Sequence, residues 1–279
     1  MNSAPPGAIT PATRLIALLG DPVSHSLSPR FQNAAFRAAG VDGVYLALRC
    51  SGADVPGLLR GIARAGGGGN VTVPHKAVAA ESVELRTSAV ERTGACNTFW
   101  LEDGKVCGDN TDVAGVRAAI RALIGDPAGA RVLLVGAGGA ARGAVAALLE
   151  DDVASIHLLN RTPARARDLV EAFPEGSALG IVTGVAELRG ERFDLVINAT
   201  SVGLHPGDPL PFEFDTVGGV GAALDLVYAP GETRWVREAR AAGIPAADGI
   251  EMLLHQGAAA FERWWSRPAP LEVMRAALS

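Results

Sequence analysis

The chain has 279 residues, of which 48% are hydrophobic and 20% charged, and its formal net charge is −5. This length favours about two globular domains, and mild acidity without a long basic run argues against nucleic-acid binding. No apolar stretch reaches the roughly 18 residues of a membrane span, residues 1–13 lack a signal-peptide pattern, and the three cysteines lack disulfide-framework spacing. We therefore expect a cytoplasmic protein that binds neither membranes nor nucleic acid.

Strand and helix patterns alternate through the first hundred residues. In chain order they are a strand at Arg14–Leu19, a helix at Phe31–Ala39, a strand at Val44–Leu48, a helix at Val55–Ala65, a strand at Asn70–Val73, mixed helix at Lys76–Val90 and a hairpin within Asn97–Cys107. The hairpin is predicted to turn at Asp103-Gly104, a favoured two-residue turn. Such alternation predicts an α/β domain with a parallel sheet and crossover helices.

Residues 131–149 carry the most informative pattern of the chain. The apolar run Val132–Val135 predicts a buried strand, a glycine turn follows at once, and Ala140–Leu149 predicts a helix of small residues. Gly136-x-Gly138-x-x-Ala141 is the alanine-ended form of the dinucleotide fingerprint, in which a helix N-terminus receives the pyrophosphate. The cofactor contacts predicted in this turn are Gly136, Ala137, Gly138, Gly139 and Ala140.

The end of the next predicted strand, Ser155–Leu159, indicates which dinucleotide is bound. NAD sites usually carry an acid about 20 residues after the first glycine, where it binds the ribose 2′-hydroxyl. Here Asn160 and Arg161 stand twenty-four and twenty-five residues after Gly136, and Arg165 follows one helical turn later. A guanidinium suits a 2′-phosphate, whereas a carboxylate repels it. The sequence therefore predicts NADP as the cofactor, bound by Asn160, Arg161, Thr162 and Arg165.

The rest of the chain completes a doubly wound Rossmann-type domain and ends in helix. Further strands are predicted at Ile181–Val182, Asp194–Ile197 and Ala222–Leu226, and apolar residues recur with helical spacing from Ile250 to Trp265. We predict a substrate domain at residues 1–112, an NADP domain at 113–248, and a helical segment at 249–279 that returns to the substrate domain. Asp112 is expected to cap a helix at Val113–Ile124.

Four further segments carry polar residues in compact patterns: Ser24–Pro29, Asn70–Lys76, Gly94–Thr98 and Gly108–Asp112. Together with the fingerprint, Asn160–Thr162, Asn198–Ser201 and Asp248–Gln256, they resemble the motifs of the shikimate dehydrogenase family in the same order. The resemblance runs from about Leu15 to the final helix. It implies an NADP-dependent interconversion of 3-dehydroshikimate and shikimate, the small-molecule substrate, as part of aromatic amino acid and chorismate biosynthesis.

The resemblance also implies roles for individual residues. Ser26 and Ser28 are expected to hold the substrate carboxylate. The ring hydroxyls fall to Thr72, Asn97 and Gln256, and Tyr228 stands where the family has a substrate-contacting tyrosine. Lys76 and Asp109 are expected to form the catalytic pair, in which Asp109 is the charge partner that orients Lys76 and holds a neighbouring hydroxyl. The remaining cofactor contacts implied are Thr200 and Gly249.

The chemistry of these residues agrees with that expectation. Oxidising a secondary alcohol sends a hydride to the nicotinamide and needs a group that takes the hydroxyl proton, a role for which Lys76 is the candidate. Simpler interpretations exist: Lys76 as a solvated lysine, Ser28 as a helix cap before Pro29, and Gln256 as a surface residue. The five histidines lack metal-ligand spacing, so no metal is expected.

Two other functions stay open at this point. A relative acting on quinate or on an amino-substituted shikimate would carry similar motifs. A catalytically inactive NADP-binding sensor would share the scaffold, although intact Lys76 and Asp109 argue against it. We expect a monomer or a homodimer.

Overall fold

The computed structural model describes residues 9–174, 176–205, 207–229 and 231–278. Two compact units emerge from its residue contacts. The first unit ends at Thr111 and also contains the chain from Leu254 onward, while the second unit is Asp112–Leu253. The divisions expected from the sequence, after residues 112 and 248, fall close to these positions.

The first unit is a layered α/β fold around a six-stranded sheet. Its elements are β1 (Arg14–Gly20), α1 (Ser28–Ala39), β2 (Gly43–Arg49), α2 (Val55–Arg64), β3 (Gly68–Val71), α3 (Lys76–Ser82), β4 (Leu85–Arg86), α4 (Ser88–Thr93), β5 (Thr98–Glu102) and β6 (Lys105–Asp109). The strand order is β2-β1-β3-β5-β6-β4. β2, β1 and β3 are parallel, whereas β5 pairs antiparallel with both β3 and β6. The sheet is thus mixed rather than parallel throughout, because the predicted hairpin at Asp103-Gly104 forms part of it.

Two local predictions in this unit are wrong. The strand expected at Asn70–Val73 is β3, which ends at Val71, so that Thr72 lies beyond it. The long helical stretch at Lys76–Val90 is interrupted by β4. The interruption arises because Glu84 hydrogen-bonds to β6 of the sheet. Its carboxylate accepts from the Val106 N–H (2.7 Å), and its own N–H donates to the Val106 carbonyl (2.7 Å).

The second unit is built on the glycine-turn strand predicted from the sequence. Its elements are α5 (Asp112–Ile124), β7 (Arg131–Val135), α6 (Gly139–Glu150), β8 (Ser155–Leu159), α7 (Pro163–Glu171), β9 (Leu179–Val182), β10 (Arg192–Asn198), β11 (Gly219–Asp225), α8 (Arg234–Ala241) and β12 (Ala246–Ala247). The order is β12-β11-β10-β7-β8-β9, and every pairing is parallel. Successive connections leave β7 in opposite directions, so the switch point of a doubly wound sheet lies between β7 and β10.

The chain ends in α9 (Ile250–Trp265), which has the predicted bounds, and α10 (Leu271–Leu278), which was not predicted. Trp264 packs edge-on to Phe36 with ring centroids 6.4 Å apart, and its indole N–H donates to the Phe99 carbonyl (3.2 Å). Met274 of α10 is fully buried, and α10 lies against α1. The return of the C-terminal helix to the first unit is therefore confirmed.

Each unit has a hydrophobic core of its own. In the first unit the core includes Leu19, Leu59 and Phe99, and in the second it includes Leu133 and Trp235. Within the described part of the chain, no helix is both long and apolar enough to cross a membrane.

Candidate functional site

A buried polar network in the first unit joins two of the residues predicted to bind substrate. The Ser28 hydroxyl hydrogen-bonds with the Tyr45 phenol, which donates to the Asn70 side-chain carbonyl (2.7 Å). The Asn70 amide in turn donates to the Asn97 backbone carbonyl (3.0 Å). Burial raises the pKa of Tyr45 far above its ordinary value, so this phenol stays a neutral donor. Tyr45 was not among the predicted site residues, and its only signal in the sequence was a polar atom within a strand.

Ser26 and Ser28 lie together at the start of α1. The Ser26 hydroxyl accepts a hydrogen bond from the Ser28 N–H (3.2 Å). Ser28 is already the first helical residue, and the capping position is occupied by Leu27, which makes no side-chain cap. A pocket with a volume of about 410 Å³ borders Ser26. The simple helix-cap interpretation of Ser28 therefore does not account for its hydroxyl, which binds Tyr45 instead.

The structure brings Lys76 and Asp109 into one neighbourhood through the segment between them. The Cys96 N–H donates to the Lys76 carbonyl (2.9 Å), and the Asn97 N–H donates to the Asp109 carbonyl (3.0 Å). Lys76 is the first residue of α3. Cys96 is fully buried, and burial raises the pKa of its thiol to about 12, so this group packs rather than reacts.

The Asp109 carboxylate is fully engaged inside the first unit. One oxygen accepts from the Thr87 hydroxyl (2.6 Å) and the Asn110 N–H (2.8 Å). The other oxygen accepts from Nε and Nη2 of Arg263, both at 2.9 Å. A carboxylate offers about four acceptor positions, and these donors fill them. Arg263 also lies over the Trp100 ring, 5.4 Å from its centroid.

Sequence reasoning missed the contribution of Arg263. The available signal was its spacing from Gln256: seven residues separate them on α9, which places both on one side of the helix. Arg263 thus connects the end of β6 to the helix that carries Gln256.

The other predicted substrate contacts in this unit are positioned by backbone and side-chain bonds. The Asn97 side-chain carbonyl accepts from the Thr111 N–H (2.8 Å), which fixes the orientation of the amide. Thr72 follows the end of β3, and its N–H donates to the Leu19 carbonyl (2.8 Å). Gln256 is half-buried on α9.

In the second unit, the glycine turn after β7 has a tight backbone with one open face. Gly136 has a φ of +115°, and a Cβ there would lie 2.8 Å from the Ala199 carbonyl oxygen. A Cβ on Gly138 or Gly139 would meet nothing within 4 Å, so this face of the turn is open. α6 begins at Gly139 without a side-chain cap, which leaves its first N–H groups available to an anion. Ala137 and Ala140, the other predicted contacts, are half-buried.

The end of β8 presents the predicted basic residues to solvent. Arg161 and Arg165 are exposed, and neither guanidinium bonds to any residue in the described ranges. The Asn160 amide donates to the Thr162 carbonyl (2.8 Å), which closes the turn between β8 and α7. Two unpaired guanidiniums beside an open glycine turn fit a dinucleotide with an additional phosphate.

The remaining predicted contacts lie at the carboxyl ends of β10 and β11. The Thr200 N–H and hydroxyl both donate to the Asn198 side-chain carbonyl (3.0 and 2.7 Å). The Gly249 N–H donates to the Val227 carbonyl (3.0 Å). Tyr228 is half-buried, and burial raises the pKa of its phenol, which keeps it protonated.

Sequence comparison assigns these two groups of residues to one family. Residues 18–99 match the family described as "Shikimate dehydrogenase substrate binding domain", and residues 119–204 match "Shikimate / quinate 5-dehydrogenase". Residues 249–278 match "Shikimate 5'-dehydrogenase C-terminal domain". A curated relative from Moorella thermoacetica, shikimate dehydrogenase (NADP(+)), is 42% identical over 94% of this chain and 92% of its own length. The chain belongs to the shikimate dehydrogenase family.

Solved structures of shikimate dehydrogenases share the whole fold. The enzyme from Aquifex aeolicus superimposes with a TM-score of 0.89 at 34% identity, covering 97% of this chain and 99% of that one. The enzyme from Thermus thermophilus, solved in complex with NADP(H) and shikimate, gives a TM-score of 0.85 at 37% identity, covering 95% and 98%. The predicted fold class, an α/β substrate-type domain followed by a Rossmann-type domain, is thereby confirmed.

Proposed function

We propose that this chain is an NADP-dependent oxidoreductase that reversibly reduces 3-dehydroshikimate to shikimate. The observation that carries the proposal is the open glycine turn followed by the unpaired Arg161 and Arg165, in a chain that also groups Lys76 with a buried polar network. A metabolic role in aromatic amino acid and chorismate biosynthesis follows from the substrate.

The residues of the second unit fit NADP. The open backbone at Gly138 and Gly139 would receive the pyrophosphate, and Arg161 with Arg165 would receive the 2′-phosphate. The other contacts that we propose are Gly136, Ala137, Ala140, Asn160, Thr162, Thr200 and Gly249. When bound, the nicotinamide supplies the hydride for the reduction and accepts it in the oxidation.

The residues of the first unit fit a small hydroxylated acid. Ser26 and Ser28, at the start of a helix, are proposed to bind its carboxylate, because hydroxyls and N–H groups at a helix N-terminus favour an anion. The proposed contacts to the ring hydroxyls are Thr72, Asn97 and Gln256, and Tyr228 is a further proposed substrate contact. These groups would orient the substrate, and such orientation contributes a large share of enzymatic rate acceleration.

Lys76 is the proposed proton-transfer group. In the oxidation its Nζ takes the proton from the alcohol oxygen, and in the reduction it returns that proton to the carbonyl oxygen. Its position is held from the backbone, since its carbonyl accepts from the Cys96 N–H.

The sequence predicted Asp109 as the partner that orients Lys76 and holds a substrate hydroxyl. Because Thr87, Asn110 and Arg263 already fill its acceptor positions, we propose a supporting role for Asp109: it anchors the end of β6 to α9. Asp112 is the other carboxylate of this motif and is buried. We propose that Asp112 supplies the charge that Asp109 was predicted to supply.

The wider predictions made from the sequence belong to the same proposal. We propose that residues 1–112 bind the substrate and residues 113–248 bind NADP. We also propose a cytoplasmic location and a monomeric or homodimeric state. The family description that includes quinate keeps this second polyol acid as the alternative substrate.

One experiment tests the function. Purified protein is assayed spectrophotometrically with shikimate and with quinate, each against NADP+ and NAD+. The proposal expects the highest kcat/KM for shikimate with NADP+. A higher value for quinate would transfer the assignment to the alternative substrate, and binding of NADP+ without turnover of either acid would support an inactive NADP-binding sensor instead.

A further inference from the structure

One buried carboxylate of the second unit has no place in the function proposed above. Asp225 is the last residue of β11, is fully buried, and pairs in register with Asn198 at the end of β10. One oxygen accepts from the Asn198 amide (2.8 Å) and the Val227 N–H (3.1 Å), and the other accepts from the Thr233 hydroxyl (2.7 Å). All three donors are neutral, and no described arginine or lysine forms an ion pair with Asp225. Burial raises the pKa of this carboxyl, so the group is retained at an energetic cost.

The Asp225 carboxylate and the Val202 carbonyl, which both accept from the Asn198 side-chain NH2 (2.8 and 3.1 Å), determine which way the Asn198 amide points. An ionised carboxylate only accepts hydrogen bonds, so the NH2 end of the amide must face it. The amide carbonyl is then turned toward Thr200, whose N–H and hydroxyl both donate to it (3.0 and 2.7 Å). The Thr200 oxygen accepts from the Val202 N–H (3.0 Å) and completes the turn 198–202.

The turn 198–202 contacts the glycine turn directly. The Ala199 N–H donates to the carbonyl of Val135, the last residue of β7 (2.8 Å). A Cβ on Gly136 would lie 2.8 Å from the Ala199 oxygen and 3.0 Å from the Thr200 methyl carbon. This contact lies between β7 and β10, at the switch point where doubly wound sheets bind their ligands.

The same carboxylate also holds the segment that follows β11. It accepts from the Val227 N–H, and the neighbouring Leu226 N–H donates to the Asn198 carbonyl (2.9 Å). Val227 in turn accepts from the Gly249 N–H. The Asp225 side chain therefore helps to position both the segment leading to Tyr228 and the start of α9.

We propose that Asp225 is a positioning residue for the cofactor site: by orienting the Asn198 amide it holds the turn 198–202 against the glycine turn, in the conformation that binds the dinucleotide. This inference rests on the proposed NADP site and adds a residue that touches neither cofactor nor substrate. Its third bond, to Thr233, serves a different purpose, because Thr233 caps α8 by accepting from the Val236 N–H (3.2 Å).

These separate bonds allow a matched experiment. The dissociation constants of NADP+ and NAD+ are measured by titration calorimetry, and Tm by thermal unfolding, for Asp225→Ala, Asp225→Asn and the control Thr233→Val. Asp225→Ala is expected to raise both Kd values on the order of tenfold, because a misplaced supporting group weakens every interaction that it aligned. Asp225→Asn keeps an acceptor for Asn198 and Val227, so its Kd values should stay within about twofold. Thr233→Val should lower Tm and leave both Kd values unchanged.

Equal losses of Tm in Asp225→Ala and Thr233→Val, with unchanged Kd values in both, would overturn the proposal and leave Asp225 a purely structural residue. If Asp225→Ala does not fold, Asn198→Ala cuts the same connection from the other side, and an unchanged Kd there overturns the proposal equally. The cofactor affinities are read without turnover. A protein that binds NADP+ but oxidises no shikimate would therefore contradict the proposed function while the comparison at Asp225 still stands.

Discussion

At the scale of single residues, Lys76 is the group on which the proposed reaction depends. Replacing it with methionine keeps most of the length of the side chain and removes the proton carrier. General acid–base catalysis typically contributes about 10²–10⁴ in rate, or roughly 3–5 kcal/mol, so kcat of Lys76→Met should fall by that factor. NADP+ affinity and Tm should be unchanged. Lys105→Met is the matched control, because Lys105 is an exposed lysine of the same unit. If Lys76→Met kept near-normal kcat and only its KM rose, Lys76 would be a binding residue.

The two carboxylates of the Gly108–Asp112 motif, Asp109 and Asp112, have different proposed roles that substitution can distinguish. Asp109→Asn breaks the ion pair with Arg263 and should lower Tm, with a loss in kcat of about tenfold or less, because its role is support. Asp112→Asn should lower kcat more and shift the pH–rate profile, since it removes a charge proposed to act on the proton carrier. The measurement is kcat of both variants as a function of pH, determined by stopped assays. A larger profile shift in Asp109→Asn would restore the role that the sequence predicted for Asp109.

Arg161 is the residue expected to select the cofactor. Its exposed guanidinium makes no bond within the described ranges, so it is available for a 2′-phosphate. A charge-assisted contact is worth about 1.5–3 kcal/mol, and Arg161→Ala should raise the KM for NADP+ by about one to two decades while barely changing that for NAD+. Arg167→Ala, at an exposed arginine of the helix α7 that follows Arg161, should change neither. Equal losses with both cofactors would rule out the 2′-phosphate assignment.

At the scale of elements, a buried carboxylate joins α5 to the end of α6. Asp151 accepts from Arg117 Nε (2.7 Å) and Arg121 Nη2 (2.8 Å), and its side chain is 2% exposed. Burial alone would raise the pKa of Asp151, but the hydrogen bonds and charges of the two guanidiniums outweigh it, and the pKa is lowered. A lowered pKa means that the stabilisation is complete above the ordinary value of about 4 and is lost as the pH falls through the folded-state value.

The Asp151 cluster therefore predicts a pH-dependent stability difference. Asp151→Asn should lower the free energy of unfolding at pH 7 by about 1–2 kcal/mol, a modest figure because both arginines are partly exposed. The difference should start to shrink as the pH falls below about 4, because the carboxylate of the unfolded chain is protonated there, and it should vanish only when the folded protein is protonated at a lower pH. Thermal unfolding between pH 3 and pH 7 is the measurement. Asp152→Asn is the adjacent exposed control, and a difference that persists at low pH would mean that packing rather than charge is responsible.

At the scale of the whole molecule, two separate cores predict that the cofactor stabilises one unit selectively. At a hundred times its Kd, a ligand adds about 2.7 kcal/mol to the stability of the unit that binds it. Hydrogen exchange of β7 and β8 should therefore slow with NADP+, whereas exchange of β1 and β3 should not. Leu59→Ala, in the first core, should speed exchange only in the first unit. Equal protection of both cores by NADP+ would show that the units open together.

The sequence by itself determined the local structure and the cofactor type. The hairpin at Asp103-Gly104, the strand–turn–helix around Gly136 and the bounds of α9 follow from backbone preferences and from periodicities that act over a few residues. The arginines after β8 needed only their spacing from the glycine turn.

Tertiary structure decided which polar groups meet. Arg263 reaches Asp109 across 154 residues of chain, and Asp225 pairs with Asn198 only because β11 lies beside β10. β4 forms because Glu84 hydrogen-bonds to Val106 on the neighbouring strand β6. Such partners are chosen by contacts between distant segments, and a buried carboxylate accepts whatever donors the packed fold presents to it. For that reason the sequence identified the motif around Asp109 but not the contacts that occupy its carboxylate.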